Sequence, residues 1–152
     1  MASNEIVFSK SHDVGVITLN RPEARNALSP SMMGDLTEAI QACQPADIRA
    51  VLITGSGEAF CAGADVRDFS NQFEEGGPNG ISNHLNELAG AFHQNVILGL
   101  RRLAKPVVAG VNGVAAGGGF SLMLGCDLRV ASENARFLMA YANIGATADG
   151  GS

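Results

Sequence analysis

Residues 107–119 read Val107-Val-Ala-Gly-Val-Asn-Gly-Val-Ala-Ala-Gly-Gly-Gly119. They begin with an apolar run and end with a glycine triplet. The β-branched part of this stretch predicts a buried strand, and the small residues after it predict a loop whose backbone can approach a ligand closely. The same order occurs earlier, where the apolar run 50–54 leads through a glycine-rich turn to Phe60-Cys-Ala-Gly-Ala-Asp65. This weak internal repeat is the most informative feature of the chain.

A helical pattern separates the two strands. Apolar residues recur at spacings of three and four over residues 83–104, which predicts one long amphipathic helix. A strand, a helix and a second strand in this order favour a parallel pair joined by a right-handed crossover. The chain is therefore predicted to have an α/β fold.

Further elements are predicted on both sides of this unit. The β-branched segment 14–19 predicts a strand, with residues 5–9 pairing to it as a hairpin. Ser29 and Pro30 predict the start of a helix, because serine caps a first turn well and proline is tolerated at the first helical position. The remaining expected elements are a helix over 117–124 and strands over 127–131 and 137–140.

Residues 67–82 interrupt this regular pattern. They are acidic, rich in glycine and contain Pro78. Glycine and proline together favour irregular backbone, so we expect a mobile loop beside the functional site, with a plain surface linker as the alternative. The whole chain, residues 1–152, is expected to form one domain.

The composition excludes several classes of function. The 152 residues carry a formal net charge of −5, 5% aromatic residues and no tryptophan, which poorly matches a nucleic-acid-binding surface. No apolar run approaches the roughly 20 residues of a membrane span. The N-terminus lacks the pattern of a secretory signal, so a cytoplasmic location is expected. Three widely spaced cysteines and three unclustered histidines predict buried thiols and no metal site.

The glycine-rich loops are the remaining candidates for a functional site, because the common phosphate-binding and nucleophile motifs are absent from the sequence. A helix that starts at Gly117–Gly119 leaves unpaired amides pointing at one spot. The small residues of Ala62–Ala64 allow a second backbone segment to reach the same ligand. Two amides from two loops can hold one oxygen that becomes negative, which is an oxyanion hole. Two tight turns in close packing are the alternative interpretation.

With these residues in view, the chain resembles the crotonase superfamily, the enoyl-CoA hydratase/isomerase family, over nearly its whole length. The motifs that carry the resemblance occur in the family's order. They are Leu19-Asn-Arg-Pro-Glu-Ala-Arg-Asn-Ala-Leu28, Val51-Leu-Ile-Thr-Gly55, Ala59-Phe-Cys-Ala-Gly-Ala-Asp65, Lys105-Pro-Val-Val-Ala-Gly-Val-Asn-Gly-Val-Ala-Ala-Gly-Gly-Gly119 and Cys126-Asp-Leu-Arg-Val-Ala-Ser132.

The resemblance implies a fold of repeated ββα units and an acyl-CoA thioester as ligand. It assigns the two oxyanion donors to the amides of Ala64 and Gly118. Arg25 is implied to meet the phosphates of CoA. Coenzyme A enters as part of the substrate, so no separate cofactor or metal is implied, and a trimer-based homo-oligomer is expected for a full-length protein. The residues implied to contact CoA are Arg25, Ala62, Ala64, Asp65, Val66, Arg67 and Gly118.

Three positions depart from the hydratase pattern within the family. Hydratases carry glutamate where this chain has Ser121 and Tyr141, and they need both carboxylates to activate water and deliver a proton. Asp149 instead stands where isomerase-type members carry their catalytic aspartate. We therefore predict an isomerase in which Asp149 shuttles a proton. A turn residue before two glycines is the alternative interpretation of Asp149.

Other readings of the site stay open at this point. Asp149 could act as a nucleophile, as in the related aroyl-CoA dehalogenases. Hydratase-like activity and a non-catalytic acyl-CoA-binding protein are further alternatives. Family members continue well past residue 152, so we expect a C-terminal helical part to be missing from this chain.

Overall fold

A computed structural model describes residues 5–145 and 147–152 of the chain, apart from the side chains of Asn143 and Ile144. The predicted domain 1–152 therefore includes residues 1–4 and 146, which lie outside the described residues. The strands in the described part are β1 (Ile6–Ser11), β2 (Val14–Leu19), β3 (Ala50–Gly55), β4 (Ala59–Cys61), β5 (Val107–Val111), β6 (Val114–Ala116), β7 (Leu128–Ala131) and β8 (Arg136–Leu138).

Helices connect these strands. A π-helical segment, Phe92–Ile97, joins the second helix to the third without a break, and short 3-10 turns cover Pro22–Ala24 and Ala140–Ile144. The α-helices of the described part are α1 (Pro30–Ala42), α2 (Val66–Ala91), α3 (Leu98–Arg102) and α4 (Gly118–Gly125).

The strands form two sheets that repeat one pattern. The larger sheet has the order β1-β2-β3-β5-β7, and the smaller sheet has the order β4-β6-β8. Strands β3, β5 and β7 run parallel in the first sheet, while β4, β6 and β8 run parallel in the second. Strands β3, β5 and β7 of the larger sheet are each followed by one strand of the smaller sheet, and β3-β4-α2 and β5-β6-α4 are two successive ββα units. The predicted α/β fold of repeated ββα units is confirmed.

The local signals that predicted these elements work as expected. Strand β2 alternates buried and partly exposed residues and pairs antiparallel with β1, which confirms the hairpin. Ser29 accepts a hydrogen bond from the amide of Met32 at 3.0 Å, and Pro30 occupies the first turn of α1. The core is one apolar cluster that includes Ile17, Ile53 and Leu122. It also contains Cys43, Cys61 and Cys126 as buried free thiols, as predicted.

The predicted loop over residues 67–82 is wrong, because this segment is helical. Helix α2 begins at Val66, far earlier than the predicted start at residue 83. The Gly77-Pro78 pair interrupts it at a single residue, where Gly77 has φ 59° and ψ −154°. Proline fits the first turn of the helix that resumes after this kink. Gly77 and Pro78 therefore interrupt the helix, as their residue types predict, but they bend it and do not unwind it.

Strands β7 and β8 are present close to their predicted positions, but their side chains lie open. Leu128 and Val130 of β7 are exposed, and so are Phe137 and Leu138 of β8.

Among the helices that the structure describes, none has both the length and the apolar character needed to cross a bilayer.

Lys105 ties the end of α1 to the start of β5. Its Nζ lies 2.7 Å from the carbonyl oxygens of Cys43 and Ile48, 3.0 Å from that of Pro45 and 3.2 Å from that of Gln44, so its three N–H groups are shared among four acceptors. Cys43 is the C-cap residue of α1, where carbonyls lack intrahelical partners and carry partial negative charge. Gln44, Pro45 and Ile48 belong to the loop that follows, so one fixed cation joins the helix end to this loop.

Replacing Lys105 by methionine should lower the free energy of unfolding by about 2 kcal/mol, because hydrogen bonds from a charged donor are lost while the apolar stem is kept. The control is Lys10→Met, which removes an exposed ion pair with Asp47. Exposed pairs add little to stability, so this variant should unfold like the original chain. Urea unfolding followed by circular dichroism compares the two, and equal stabilities would contradict the role given to Lys105.

Candidate active site

A cavity of about 370 Å³ opens where the two glycine-rich loops meet helix α2. Strands β4 and β6 are parallel neighbours, so the loops that follow their carboxyl ends lie side by side. The lining is mostly apolar and is made of Leu28, Met33, Ala62, Gly63, Ala64, Val66, Phe69, Leu85, Asn86, Leu88, Ala89, Phe92, Gly117, Gly118, Ala140, Tyr141, Thr147 and Asp149.

Gly63 and Gly118 bring the two loops into direct contact. Gly63 has φ +92°, and a Cβ added there would lie 2.8 Å from the carbonyl oxygen of Ala116 and 3.2 Å from the amide nitrogen of Gly118. Leu28 holds the first loop from the other side, since its amide donates to Gly63 at 2.7 Å and its carbonyl accepts from Asp65 at 3.1 Å. Only a residue without a side chain permits this approach.

Ala64 and Gly118 both line the cavity. No hydrogen bond joins either of their two backbone amides to another residue in the described part of the chain. Gly118 is the first residue of α4, so the positive end of the helix dipole supports its amide. Gly117 before it has φ 49° and ψ −123° and donates to the carbonyl of Leu138 at 3.0 Å, which anchors the turn to β8. The arrangement can hold one developing oxyanion.

Asp149 faces the same cavity within a hydrogen-bonded chain. The hydroxyl of Tyr141 donates to Oδ1 of Asp149 at 2.5 Å, and the oxygens of Ser121 and Tyr141 lie 2.6 Å apart. Ser121 is fully buried, and Tyr141 is nearly so. Burial and the hydrogen bond to Asp149 raise the pKa of Tyr141 above its usual value, despite opposing contributions from hydrogen bonds with Ser121 and Ser152. Asp149 and Tyr141 are the ionisable side chains among the described residues of the lining.

The backbone at Asp149 forms a turn that glycine makes possible. Its carbonyl accepts hydrogen bonds from the amide and the hydroxyl of Ser152, at 3.0 and 2.9 Å. Gly150 has φ +55°, and a Cβ there would lie 2.8 Å from both the ring of Phe92 and the Cβ of Ser121. Asp149 therefore starts a turn and also lines the cavity. Its role as a proton shuttle stays a prediction.

The sequence model described as Enoyl-CoA hydratase/isomerase matches residues 9–152. The chain belongs to this family. Among curated relatives, it is 38% identical to 1,2-epoxyphenylacetyl-CoA isomerase of Escherichia coli over 139 residues. It is 36% identical to short-chain-enoyl-CoA hydratase of Clostridium acetobutylicum over 149 residues.

Solved enoyl-CoA hydratase/isomerase structures share the crotonase fold. An enoyl-CoA hydratase from Polaromonas superimposes with a TM-score of 0.86 at 37% identity, covering 96% of this chain and 55% of that one. A structure from Thermobifida fusca in complex with acetoacetyl-CoA gives 0.81 at 31% identity, covering 97% and 59%. The aligned regions cover 91% of this chain and 51% of the E. coli isomerase, and 97% and 54% for the clostridial hydratase. The chain thus spans about half the length of the curated relatives that it matches.

The residues predicted to contact CoA in this family member fall into two groups. Ala62, Ala64, Val66 and Gly118 line the cavity, whereas the side chains of Asp65, Arg67 and Arg25 are outside its lining. Arg25 is exposed, and its carbonyl accepts from the amide of Ala62 at 3.0 Å. These contacts to CoA stay predictions.

Asp65 serves the fold of the loop. Its carboxylate pairs with Arg21 at 3.0 Å and with Arg67 at 3.3 Å, and it caps α2 by accepting from the Arg67 amide. Burial by itself would raise the pKa of Asp65, but the hydrogen bonds from the two arginines outweigh it and hold the pKa below its ordinary value. The carboxylate is thus committed to orienting the loop beside Ala64.

Two asparagines, which sequence reasoning did not single out, hold the loop at the start of β4. Asn26 is fully buried with φ 56°, and its amide group donates to the carbonyls of Ser56 and Ala59 at 3.0 and 2.8 Å. Asn112 donates to Gly57 and Ala59 at 3.0 and 3.1 Å. Their place inside the two family motifs was the available signal. Asn86 and Thr147 add polar groups to the cavity lining and were also missed.

Proposed function

We propose that the protein isomerises acyl-CoA thioesters, moving a double bond or making a related rearrangement through an enolate. The amides of Ala64 and Gly118 hold the thioester oxygen, and Asp149 carries the proton. One observation carries the choice of isomerase over hydratase. Among the described residues that line the cavity, Asp149 is the one carboxylate, whereas hydration requires a second group to activate water.

The proposed reaction needs one base that later acts as an acid. For a β,γ-enoyl thioester, Asp149 removes the proton at the α-carbon, and the electron pair moves into the thioester carbonyl to give a dienolate. The two amides stabilise the negative oxygen, since donors fixed in a water-excluded site need little reorganisation. Asp149 then returns the proton at the γ-carbon, which leaves an α,β double bond and restores the carboxylate.

Ser121 and Tyr141 support the proposal because neither side chain can act as the second base that hydration requires. They stand at the two positions where the resemblance to hydratases implies glutamate. The hydroxyl of Ser121 is buried and bonded to its neighbours, and burial raises the pKa of Tyr141, so neither supplies a base at neutral pH. Asp149 is therefore the single proton carrier among the described residues that line the cavity.

Incubation of a β,γ-enoyl-CoA with the chain in D₂O tests the reaction. Proton NMR should show loss of the β,γ double bond and appearance of the α,β double bond, without added water. The γ-carbon receives the proton that Asp149 took from the α-carbon, or deuterium where Asp149 exchanges with solvent before returning it. Product containing a β-hydroxyl group would support a hydratase and contradict the proposal. Binding of the thioester without double-bond migration or deuterium exchange, in this chain and in a version extended at its C-terminus, would support a non-catalytic binding protein. Halide release from a haloaroyl-CoA would instead favour Asp149 as a nucleophile.

A further inference from the structure

We propose that Tyr141 and Ser121 are positioning residues, which hold Oδ1 of Asp149 so that Oδ2 alone exchanges protons with the substrate. This inference rests on the proposed function and names the reacting atom within it. It follows from the direction of the hydrogen bonds in the chain Ser121–Tyr141–Asp149 and from the place of these residues relative to α4.

The number of hydroxyl protons sets the direction of the hydrogen-bonded chain. Each hydroxyl has one proton to donate. Tyr141 donates its proton to Oδ1 of Asp149 at 2.5 Å, so the 2.6 Å contact with Ser121 requires Ser121 to donate to the Tyr141 oxygen. Both hydroxyl dipoles then point towards the carboxylate. The carbonyl oxygens of Asp149 and Gly117 lie farther from Oγ of Ser121, at 3.0 and 3.4 Å, so the Tyr141 oxygen is the nearest acceptor for its proton.

This direction leaves the two carboxylate oxygens in different roles. Oδ1 is occupied by Tyr141, while Oδ2 makes no hydrogen bond to any residue in the described part of the chain. When Oδ2 takes a proton, Tyr141 can keep donating to Oδ1 and Ser121 can keep donating to Tyr141. The proton can therefore be taken up and returned without rotation of either hydroxyl. A carboxylate held in one orientation avoids reorganisation during the reaction.

Helix α4 couples this orientation to the oxyanion donor. Gly118 begins α4, and Ser121 lies one turn further along the same helix. Gly150 packs against the Cβ of Ser121, which holds the backbone beside Asp149 on that turn. The amide that would bind the thioester oxygen and the hydroxyl that orients the base through Tyr141 therefore share one rigid element.

Replacing Tyr141 by phenylalanine tests the positioning role through activity. The ring is kept, so the cavity wall should persist while Oδ1 loses its donor. We expect kcat for isomerisation to fall about tenfold to a hundredfold with little change in KM. Ser121→Ala should lower kcat less, because Tyr141 can still donate to Asp149. The matched control is Ser132→Ala, whose exposed hydroxyl donates to the carbonyl of Asn112, and neither residue belongs to the cavity lining. It should leave kcat unchanged.

Titration of Tyr141 tests the contacts without any turnover. Tyr141 is the single tyrosine of these 152 residues, and there is no tryptophan, so the ultraviolet absorbance of tyrosinate reports this one group. Asp149→Asn should move its ionisation midpoint to lower pH, because a negative neighbour is removed. Ser121→Ala should move it to higher pH, because a donor to the tyrosinate is lost. Far-ultraviolet circular dichroism over the same pH range confirms that the fold persists.

The two measurements separate the inference from the proposed function. Shifts of opposite sign together with the loss of kcat in Tyr141→Phe support the positioning role. A midpoint that does not respond to Asp149→Asn, or full kcat in Tyr141→Phe, overturns it. If the midpoints shift in opposite directions but Asp149→Asn keeps full turnover, the proposed proton shuttle is wrong, and so is the positioning role. The contacts among Ser121, Tyr141 and Asp149 would still be established by the shifts.

Discussion

Isomerase turnover should fall by about 10²-fold to 10⁴-fold when Asp149 is replaced by asparagine. Asparagine has nearly the same shape and can still accept a hydrogen bond from Tyr141, but it cannot take up a proton from carbon. Binding of the acyl-CoA should change only severalfold, because the loop amides and the apolar wall are untouched. Rates from NMR and affinities from calorimetry measure the two effects on the same protein preparation.

Asp13→Asn is the matched control for this experiment. Asp13 is exposed in the turn between β1 and β2, outside the cavity lining. The same change of charge there should leave both turnover and binding at their original values. Full turnover in Asp149→Asn would show that another group carries the proton, and the proposed mechanism would then be wrong.

Gly63→Ala should be the second most damaging change to activity. Gly63 has φ +92°, which side chains rarely adopt, and the new Cβ would lie 2.8 Å from the carbonyl oxygen of Ala116 and 3.2 Å from the amide nitrogen of Gly118. The two loops must separate to accept it, which would move the amides of Ala64 and Gly118 apart from the arrangement proposed for binding one oxygen. We expect kcat to fall about 10²-fold to 10³-fold, as for the loss of one oxyanion donor.

The control for the glycine substitution is Gly34→Ala on helix α1. A Cβ at Gly34 meets no atom within 4 Å, and alanine favours a helix interior over glycine by roughly 0.5–1 kcal/mol. This variant should unfold at a slightly higher temperature and keep full turnover. Thermal unfolding of Gly63→Ala distinguishes a displaced loop in a folded protein from loss of the fold. A folded Gly63→Ala variant with full kcat would contradict the oxyanion role of the two loops.

Local sequence signals account for most of the fold and part of the site. The β-branched run before the glycine triplet, the Ser29-Pro30 helix start and the hairpin at β1 and β2 depend on neighbouring residues, and all were predicted. The prediction that the two small-residue loops share one ligand also came from local patterns, because each loop directly follows a segment predicted to be a strand of one parallel pair. The loop prediction for residues 67–82 was wrong because the glycine and proline signal affects the backbone at Gly77 alone, and the segments on both sides of it are helical. Phe69 of that segment lines the cavity, and its ring makes an edge contact with His84 across the kink.

The sequence by itself determined the strand–loop–helix repeat, the family and the residue types of the site, because these are written in short patterns along the chain. Only the tertiary structure decided how those residues use their polar groups. It committed Asp65 to Arg21 and Arg67, and it joined Ser121, Tyr141 and Asp149 in one hydrogen-bonded chain. Ser121 and Asp149 are 28 residues apart. Contacts over such separations depend on how helices and sheets pack, because hydrogen bonding requires the positions of both partners to within a few tenths of an ångström.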